Sequence, residues 1–412
     1  MFADLRVFRQ LPHPLGLLIA TQFIFNVGFY LVVPFLAAYL EADLGLAVAL
    51  IGLILGLRTF SQQGLFFLGG ALADWFGIKP VLLVGIAVRV VGFATLAITQ
   101  ELTWIIVGTM CIGMAAALFS PASESAILGL AGQTEITGGI RRTRVLGLQQ
   151  VFSQAGSAVG PALGGVVLFV PFQATCLIAA VLFAIVGVVH FLWLPSRMRV
   201  GDRTRVSASL RLVLGNRRFM IFAALNIAQL IAYNQMYLAL PVELTRSGNN
   251  SADITFYFLL ASVLVILLQS RITAWTDSFP TTKVFLLSHL FMSAAFVVVG
   301  AIAWFPSAGG IVGALPKIIM VVLLHIGLMI LQPRTRDMVG KLAGENQLGS
   351  HMGVMNSLGG CAVLFSGVPV GSLLEAARVP GPSAVVPWIV LAALPVAVAV
   401  IATPVLRWLG SE

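Results

Sequence analysis

Long apolar runs follow one another along almost the whole chain, separated by short polar stretches. Each run holds about 20 to 27 residues, enough for a helix to cross the hydrocarbon core of a bilayer. The pattern predicts twelve membrane-spanning helices, so the fold is all-α and polytopic. In chain order the predicted spans are 14–40, 46–73, 79–100, 102–128, 143–169, 171–194, 217–244, 252–274, 282–304, 312–338, 346–374 and 384–408.

Composition agrees with a membrane protein and argues against catalysis. Hydrophobic residues make up 59% of the chain and charged residues 9%, against about 25% charged in soluble proteins. The three cysteines, Cys111, Cys176 and Cys361, lie within apolar runs and indicate small core residues. The sequence shows no metal-ligand spacing, no phosphate-binding glycine loop and no nucleophile with a recognisable base. We therefore expect no enzyme activity, no cofactor and no metal site.

The basic residues predict how the chain is oriented. Of 24 Lys and Arg residues, nineteen fall in segments on the side of the N-terminus and only Arg246, Lys317 and Arg378 in segments on the other side. The positive-inside rule then places both termini in the cytoplasm, in the cell inner membrane. The net charge of +9 reflects this orientation. Because the basic residues are scattered over short loops, no nucleic-acid partner is expected.

Several features recur about 200 residues apart, which indicates two related halves. The longest polar connection divides the chain into a six-helix bundle at 1–194, a cytoplasmic linker at 195–216 and a second six-helix bundle at 217–412. Repeated membrane halves of this kind are typical of transporters whose substrate site lies between them. The matching positions are Tyr30 and Tyr237, Pro34 and Pro241, Asp74 and Asp277, Pro121 and Pro333, Gly147 and Gly353, and Gly165 and Gly371.

The fifth span is unusually rich in glycine for a helix. Gly156, Gly160 and Gly164 lie four residues apart, on one face. In a membrane such a face lets a neighbouring helix approach closely, and neighbours can satisfy the backbone groups that Pro161 frees. We expect this face to pack against the opposite bundle, so that six helices tilt as one unit around a central chamber.

Two glycine motifs carry a resemblance to a known family. The fifth span has Gly147, Gly156, Gly160, Pro161, Gly164 and Gly165 at the spacing of an antiporter motif, and the loop "GGALADWFGIKP" holds Gly70, Leu72, Asp74, Gly77 and Lys79. Together they resemble the drug:proton antiporter branches of the major facilitator superfamily. The resemblance implies the major facilitator fold, efflux and coupling to protons. Two basic residues usual in such relatives are replaced, by Ile78 and by Thr109.

Ionisable groups inside a membrane are candidates for function. All fifteen acids lie in loops or near span ends, whereas Arg58 and Arg89 lie about halfway along their spans. Arg58 either meets an anionic group of the substrate, orients a network with Gln62 and Gln63, or is a structural arginine held between helices. Span 3 of this fold stands behind the cavity, which favours a structural role for Arg89.

Polar and aromatic residues at cavity height complete the predicted substrate site. In span 7 several of them recur every three or four residues and form one polar stripe. Because a polar stripe facing lipid is costly, it faces water or a partner helix. Hydrogen bonding between helices, without substrate contact, is the alternative. The predicted substrate-binding residues are Asn26, Tyr30, Arg58, Gln62, Asn226, Gln229, Tyr233 and Tyr237.

A second set is predicted to gate the inner end and to handle protons. Asp74 pairs with Lys79, caps a helix, or lies beside Glu124 so that the two acids share a proton. His325 carries a proton near neutral pH or is a packing residue. Asp337, with Arg334 and Arg336, forms the counterpart of this gate in the second half, or the two arginines only anchor the chain. The predicted gate and coupling residues are Asp74, Lys79, Glu124, His325 and Asp337.

The sequence therefore predicts a secondary transporter, acting as a monomer with a small organic substrate, protons and the lipid bilayer as partners. Our main hypothesis is export of amphipathic organic compounds by alternating access, coupled to proton influx. One alternative is an exporter or facilitator of an anionic metabolite such as a siderophore, a sugar acid or a lysolipid. Another is a membrane receptor that does not transport but keeps the same fold, which fold alone does not exclude.

Overall fold

The structure is a computed structural model that describes residues 8–137, 139–167, 170–195, 206–248, 253–305, 310–343 and 348–409. Within these ranges the side chains of Asp74 and Thr143 and those at 165–167, 206–209 and 348 lie outside the described part. Two residues of the predicted sites, Asp74 and Gly165, are therefore described only in their backbone.

The described residues form helices and contain no strand. Two irregular segments occur inside predicted spans: a π-helical turn at Phe60–Gly64, between α2 and α3, and breaks between α9, α10 and α11. The helices are α1 (His13–Ala42), α2 (Val48–Thr59), α3 (Phe66–Phe76), α4 (Ile78–Ile98), α5 (Leu102–Ile136), α6 (Arg142–Val167), α7 (Phe172–Trp193), α8 (Val206–Gly215), α9 (Arg217–Leu225), α10 (Ile227–Asn234), α11 (Ala239–Arg246), α12 (Asp253–Thr276), α13 (Thr281–Ala303), α14 (Gly310–Ala343), α15 (Leu348–Ala376) and α16 (Pro382–Trp408).

Each predicted span corresponds to one helix or one helical run. Among the described residues, eleven helical segments are long and apolar enough to cross a membrane, with α2–α3 and α9–α11 each counted as one segment. The remaining span, at 143–169, is α6, which is not among the eleven. Its arginines, glutamines and glycines make it less apolar than its neighbours.

The chain forms two compact units. The first comprises Met1–Val32 and Ser61–Ala208, and the second Val33–Phe60 and Ser209–Glu412. The segment Val33–Phe60 is part of the second unit, where α2 packs along α15. The division into bundles at 195–216 stays a prediction.

In the second unit, α2 and α15 approach each other backbone to backbone. A Cβ atom added at Gly52 would collide with the carbonyl group of Gly367, and one added at Gly367 with that of Gly52. One turn along each helix, Gly56 lies against Leu364 and Gly371 against Val48. Both helices thus carry small residues four positions apart, an arrangement that allows close helix packing in membranes. We call this contact the α2–α15 seam.

In the first unit, the buried cation of α4 has an aromatic environment. The Arg89 guanidinium carbon lies 4.3 Å from the ring centre of Phe25 and 5.0 Å from that of Phe183. The Phe25 ring in turn stacks on Phe119 at 3.6 Å between centroids. Aromatic faces attract a guanidinium, which lowers the cost of burying its charge. Arg89 is therefore part of the packing core of this unit.

The glycine face of α6 packs against α1, in the same unit. A Cβ added at Gly156 would lie 2.9 Å from Asn26 Cβ, with the Phe23 carbonyl oxygen closer still, and one at Gly160 would lie 2.6 Å from Tyr30 Cβ. The expectation that this face packs against the opposite bundle is therefore wrong for these two glycines. The spacing shows which face is bare but does not determine which helix covers it.

The remaining residues of the motif differ in their surroundings. Pro161 and Gly164 are buried within α6, whereas Gly147 has no atom within 4 Å of an added Cβ. Gly165 falls outside the described side chains. Only part of the motif therefore makes the close approach.

Candidate functional site

The seventh predicted span is interrupted in two places. The first break is at Asn226, between α9 and α10, where the side-chain amide donates to the Phe222 carbonyl oxygen at 2.8 Å. A short polar side chain that bonds a backbone carbonyl one turn earlier competes with helical hydrogen bonding. Interrupted membrane helices are tolerated where they are buried in protein or line a cavity.

The second break covers the turn between Asn234 and Ala239. Pro241 has no N–H to donate to the Tyr237 carbonyl, and its ring crowds the preceding turn. The backbone there changes register: Tyr237 donates to Asn234 at 3.0 Å, and Leu240 to Gln235 at 2.9 Å. This distorted turn carries Tyr237 and faces the Arg58 side chain.

Four of the predicted residues come together around this turn, and we call them the Arg58 cluster: Arg58, Tyr233, Tyr237 and His325. Arg58 is only 4% exposed, and its guanidinium carbon lies 5.5 Å from the Tyr237 ring centre. Its Nη2 donates to Thr59 Oγ1 at 3.0 Å, and that hydroxyl donates to Asn234 Oδ1 at 3.2 Å. A permanent positive charge is thus held in place by an aromatic face and a chain of hydrogen bonds.

The aromatic part of the cluster joins the interrupted span to α14. The hydroxyl groups of Tyr233 and Tyr237 are 3.3 Å apart, and the Tyr233 ring meets the His325 ring edge to face at 6.4 Å. His325 Nδ1 donates to the Val321 carbonyl at 2.8 Å. In a neutral ring this bond assigns the proton to Nδ1 and leaves Nε2 as an acceptor. The cluster therefore offers a cation, two phenols and an acceptor nitrogen between aromatic walls.

Asn226 and Gln229 form a separate polar group. Asn226 Oδ1 accepts from Thr335 Oγ1 at 2.9 Å and from Gln229 Nε2 at 3.3 Å. Asn226 is 3% exposed, and Thr335 is also buried. The predicted stripe is not carried by one regular helix, because Asn226 lies at the first break and Tyr237 within the second. Asn226 bonds to Thr335 on α14, Gln229 bonds to Asn226, and the two tyrosines belong to the Arg58 cluster.

The other predicted substrate residues lie in the first unit. Asn26 Nδ2 donates to Ser153 Oγ at 2.9 Å and to the Ser153 carbonyl at 3.1 Å, which ties α1 to α6. Tyr30 borders the Gly160 contact. Gln62 is half-buried within the π-helical turn. Such turns occur frequently at functional sites.

The predicted gate residue Lys79 lies at the end of a helix. Its Nζ donates to the Phe191 carbonyl at 2.8 Å and to the Leu194 carbonyl at 2.6 Å. A cation that bonds the last carbonyls of a helix also complements the negative end of the helix dipole. Lys79 therefore caps α7. The Asp74 side chain lies outside the described residues, and Glu124 is exposed on α5, so a shared proton between these two acids stays a prediction.

In the second unit a similar cap stands at the end of α12. Arg334 donates to the carbonyls of Asp277 and Phe279, both at 3.1 Å. Asp337 pairs with Lys341 at 3.0 Å and lies 4.0 Å from Arg334. The two halves thus each cap a helix end with a basic side chain, Lys79 in one and Arg334 in the other.

Two members of this environment, Thr59 and Thr335, were missed by sequence reasoning. Each forms a hydrogen bond with a predicted residue, Thr59 with Arg58 and Thr335 with Asn226. They are ordinary small polar residues within apolar runs, and no local pattern distinguishes them from packing residues. The sequence did contain a signal for the distorted turn, since Pro241 follows Tyr237 by four residues.

Comparisons with known proteins give one consistent family. A family model described as Major Facilitator Superfamily matches residues 18–368. An uncharacterized MFS-type transporter of Mycobacterium tuberculosis (strain ATCC 25618 / H37Rv) is 32% identical over 377 residues, 90% of this chain and 88% of that protein. Multidrug resistance protein MdtH of Salmonella typhimurium is 28% identical over 328 residues, 79% of this chain and 78% of that protein.

Solved structures agree on the fold. The nucleoside transporter NupG matches with a TM-score of 0.78 at 13% identity, over 96% of this chain and 100% of that chain. A POT family transporter in complex with 5-aminolevulinic acid matches with a TM-score of 0.76 at 14% identity, over 98% of this chain and 99% of that chain. At these identities the likeness concerns the fold and not the cargo.

Proposed function

We propose a function from the premise that the chain belongs to the Major Facilitator Superfamily and is a multi-pass membrane transporter, not an enzyme. The proposed activity is export of amphipathic organic compounds by alternating access, coupled to proton influx. The protein acts in the cell inner membrane, with both termini in the cytoplasm. Its partners are a small organic substrate and protons, and it works as a monomer.

The Arg58 cluster is the observation that carries the proposal. Amphipathic compounds have apolar surface together with a few polar groups, and binding sites for them combine aromatic walls with a small number of placed polar atoms. The cluster has this composition, at breaks in a membrane helix, where transporters of this architecture bind substrate. The relative MdtH, a multidrug resistance protein, supports efflux of this class of compound.

A second candidate function rests on one feature of the same cluster. Arg58 keeps its positive charge at every physiological pH and is 4% exposed. A planar guanidinium matches carboxylate and phosphate groups through paired hydrogen bonds. The specific alternative is therefore an anionic organic cargo, with Arg58 as the contact for its charged group.

Transport by the purified full chain in proteoliposomes tests both candidates. The probes are ethidium as a cationic dye, Nile red as a neutral dye and carboxyfluorescein as an anionic dye, with the lumen acidified. We expect accumulation of at least one dye that is abolished when the pH gradient is collapsed. The matched variants are Arg58→Ala and Arg271→Ala. The second is the control, because Arg271 is an exposed arginine of α12.

The pattern of dyes separates the outcomes. Accumulation of the cationic or neutral dye supports amphipathic efflux. Accumulation of the anionic dye alone, lost in Arg58→Ala and kept in Arg271→Ala, supports the second candidate. Folded protein that moves none of the three dyes contradicts amphipathic export.

A further inference from the structure

The second unit contains a charged group at the end of the molecule that the basic residues predict to be external. Three side chains make up this group, which we call the outer triad: Glu41 at the end of α1, Glu375 near the end of α15, and Arg378 just beyond it. Arg378 Nη2 lies 3.0 Å from Glu41 Oε1, and Arg378 Nε lies 2.7 Å from Glu375 Oε1. One guanidinium therefore serves two carboxylates.

The two carboxylates differ in their surroundings. The Glu41 side chain is 8% exposed, whereas that of Glu375 is 41% exposed. Glu375 also accepts a hydrogen bond from the Val48 backbone amide at 2.8 Å, which caps the first turn of α2. Glu375 is thus stabilised as an anion by water, an amide and a cation. The Glu41 side chain is largely shielded from water and depends on its share of Arg378.

The charged residues on the neighbouring helices do not change this difference between Glu41 and Glu375. On α11, the Thr245 hydroxyl lies beside Glu41. Glu243 and Arg246 on the same helix pair with each other through two bonds of 2.7 and 2.8 Å. The first turn of α2 contains no acidic residue. The triad as a whole carries a net charge of −1, and one proton makes it neutral.

We propose that Glu41 is the carboxylate that takes up the coupling proton, and that this protonation frees the outer end of α1 from α15. The proton comes from external water and converts the Glu41 carboxylate to a carboxylic acid. Its ion pair with Arg378 is then lost, and Arg378 stays with Glu375. This inference rests on the proposed proton-coupled export. Glu41 lies near the end of its helix, and the sequence places all fifteen acids in loops or near span ends.

The location of the triad explains how a proton would act on the transport cycle. Glu375 caps α2 at Val48, and Val48 is also the residue against which Gly371 packs in the α2–α15 seam. The ends of α1, α2 and α15 are therefore linked through side chains that share one guanidinium. Loss of one ion pair detaches α1 while the cap on α2 persists.

Two spin labels measure this detachment directly. The labels are placed at Ala42→Cys and Val379→Cys, both exposed positions beside the triad, after replacement of the three native cysteines. We expect the distance distribution to move to longer values between about pH 8 and about pH 4, a range that includes the titration of carboxyl groups. Glu41→Gln should show the long distances at both pH values.

The control is Asp43→Asn, because Asp43 is an exposed acid two residues further along. It should keep the pH response of the parent protein. A pH response that survives in Glu41→Gln, or one lost equally in Asp43→Asn, would overturn the assignment. A cooperative thermal unfolding transition shows that Glu41→Gln is folded.

Dye transport separates failure of this inference from failure of the proposed function. For a dye that the parent accumulates, Glu41→Gln should lose accumulation driven by a pH gradient and keep exchange of dye at equal pH. Gradient-driven accumulation that is unchanged in Glu41→Gln refutes the role of Glu41 but leaves proton-coupled export standing. If no dye is transported, a pH-dependent distance change that is lost in Glu41→Gln still supports protonation of Glu41, without the export function.

Discussion

Replacing Gly156 by Ala is the most direct test of how α6 packs. The added Cβ would lie 2.9 Å from Asn26 Cβ, where ordinary contacts begin at 3.4 Å, and closer still to the Phe23 carbonyl oxygen. Both neighbours are fixed to the backbone of α1, so no side-chain rotation relieves the contact. The two helices must therefore separate by at least about 0.5 Å at this point, which is the difference between 2.9 Å and 3.4 Å.

The separation also affects hydrogen bonds nearby. Asn26 donates to Ser153 at 2.9 and 3.1 Å, one turn before Gly156, and these bonds lengthen when α1 moves away. Overpacking of a filled interface costs about 1–3 kcal/mol. With about 2–4 °C per kcal/mol for a unit of this size, the thermal unfolding midpoint should fall by several degrees.

The matched control is Gly147→Ala in the same helix. An added Cβ there has no atom within 4 Å, and Ala stabilises a helix relative to Gly by roughly 1 kcal/mol. Thermal unfolding followed by tryptophan fluorescence in detergent should therefore show an unchanged or raised midpoint for Gly147→Ala and a lowered one for Gly156→Ala. Equal midpoints for the two variants would refute the close approach of α6 to α1.

Three further predictions concern single side chains, each measured by the same thermal unfolding assay. Arg89→Lys should lose about 1 kcal/mol, because a lysine does not stack as a plane between two rings, and unchanged stability would contradict the aromatic environment. Lys79→Ala should lose up to about 1 kcal/mol through removal of the cap on α7, and added salt should narrow its difference from the parent. Asn226→Leu should cost about 1–3 kcal/mol by leaving the Thr335 hydroxyl without its acceptor, a loss that the double variant with Thr335→Val should partly restore.

The sequence predicted the helices well because membrane-spanning segments obey a simple rule. A bilayer offers no water to the backbone, so an apolar run of sufficient length forms a helix. The positions of all twelve predicted spans agree with helices in the structure. The interruptions inside 217–246 were not predicted, although Pro241 was noted. Pro34, its counterpart in the first half, lies within a continuous helix, so the proline alone does not decide the outcome.

Packing partners were harder to predict than helices. The spacing of Gly156 and Gly160 identified a face that needs a close neighbour, and that neighbour is α1. Spacing within one helix describes that helix only, whereas its partner depends on the arrangement of all the others. The α2–α15 seam shows the same limit, since Gly52 and Gly56 were not singled out.

The candidate site was predicted in its residue types and only partly in its grouping. Tyr233 and Tyr237 were assigned to one face because they are four residues apart, and they do approach each other. Arg58 and His325 come from two other spans, and only the folded chain brings them to these tyrosines. Asn226 shared the predicted stripe but bonds to Thr335 instead.

The weak apolarity of α6 has a consequence for how the protein is made. A segment whose first half holds arginines and glutamines gains less from entering lipid than its neighbours do. Gly156, Gly160 and Ser153 contact α1. Biogenesis of this helix should therefore depend on a helix inserted well before it, so that nascent chains lacking α1 would leave α6 outside the bilayer more often.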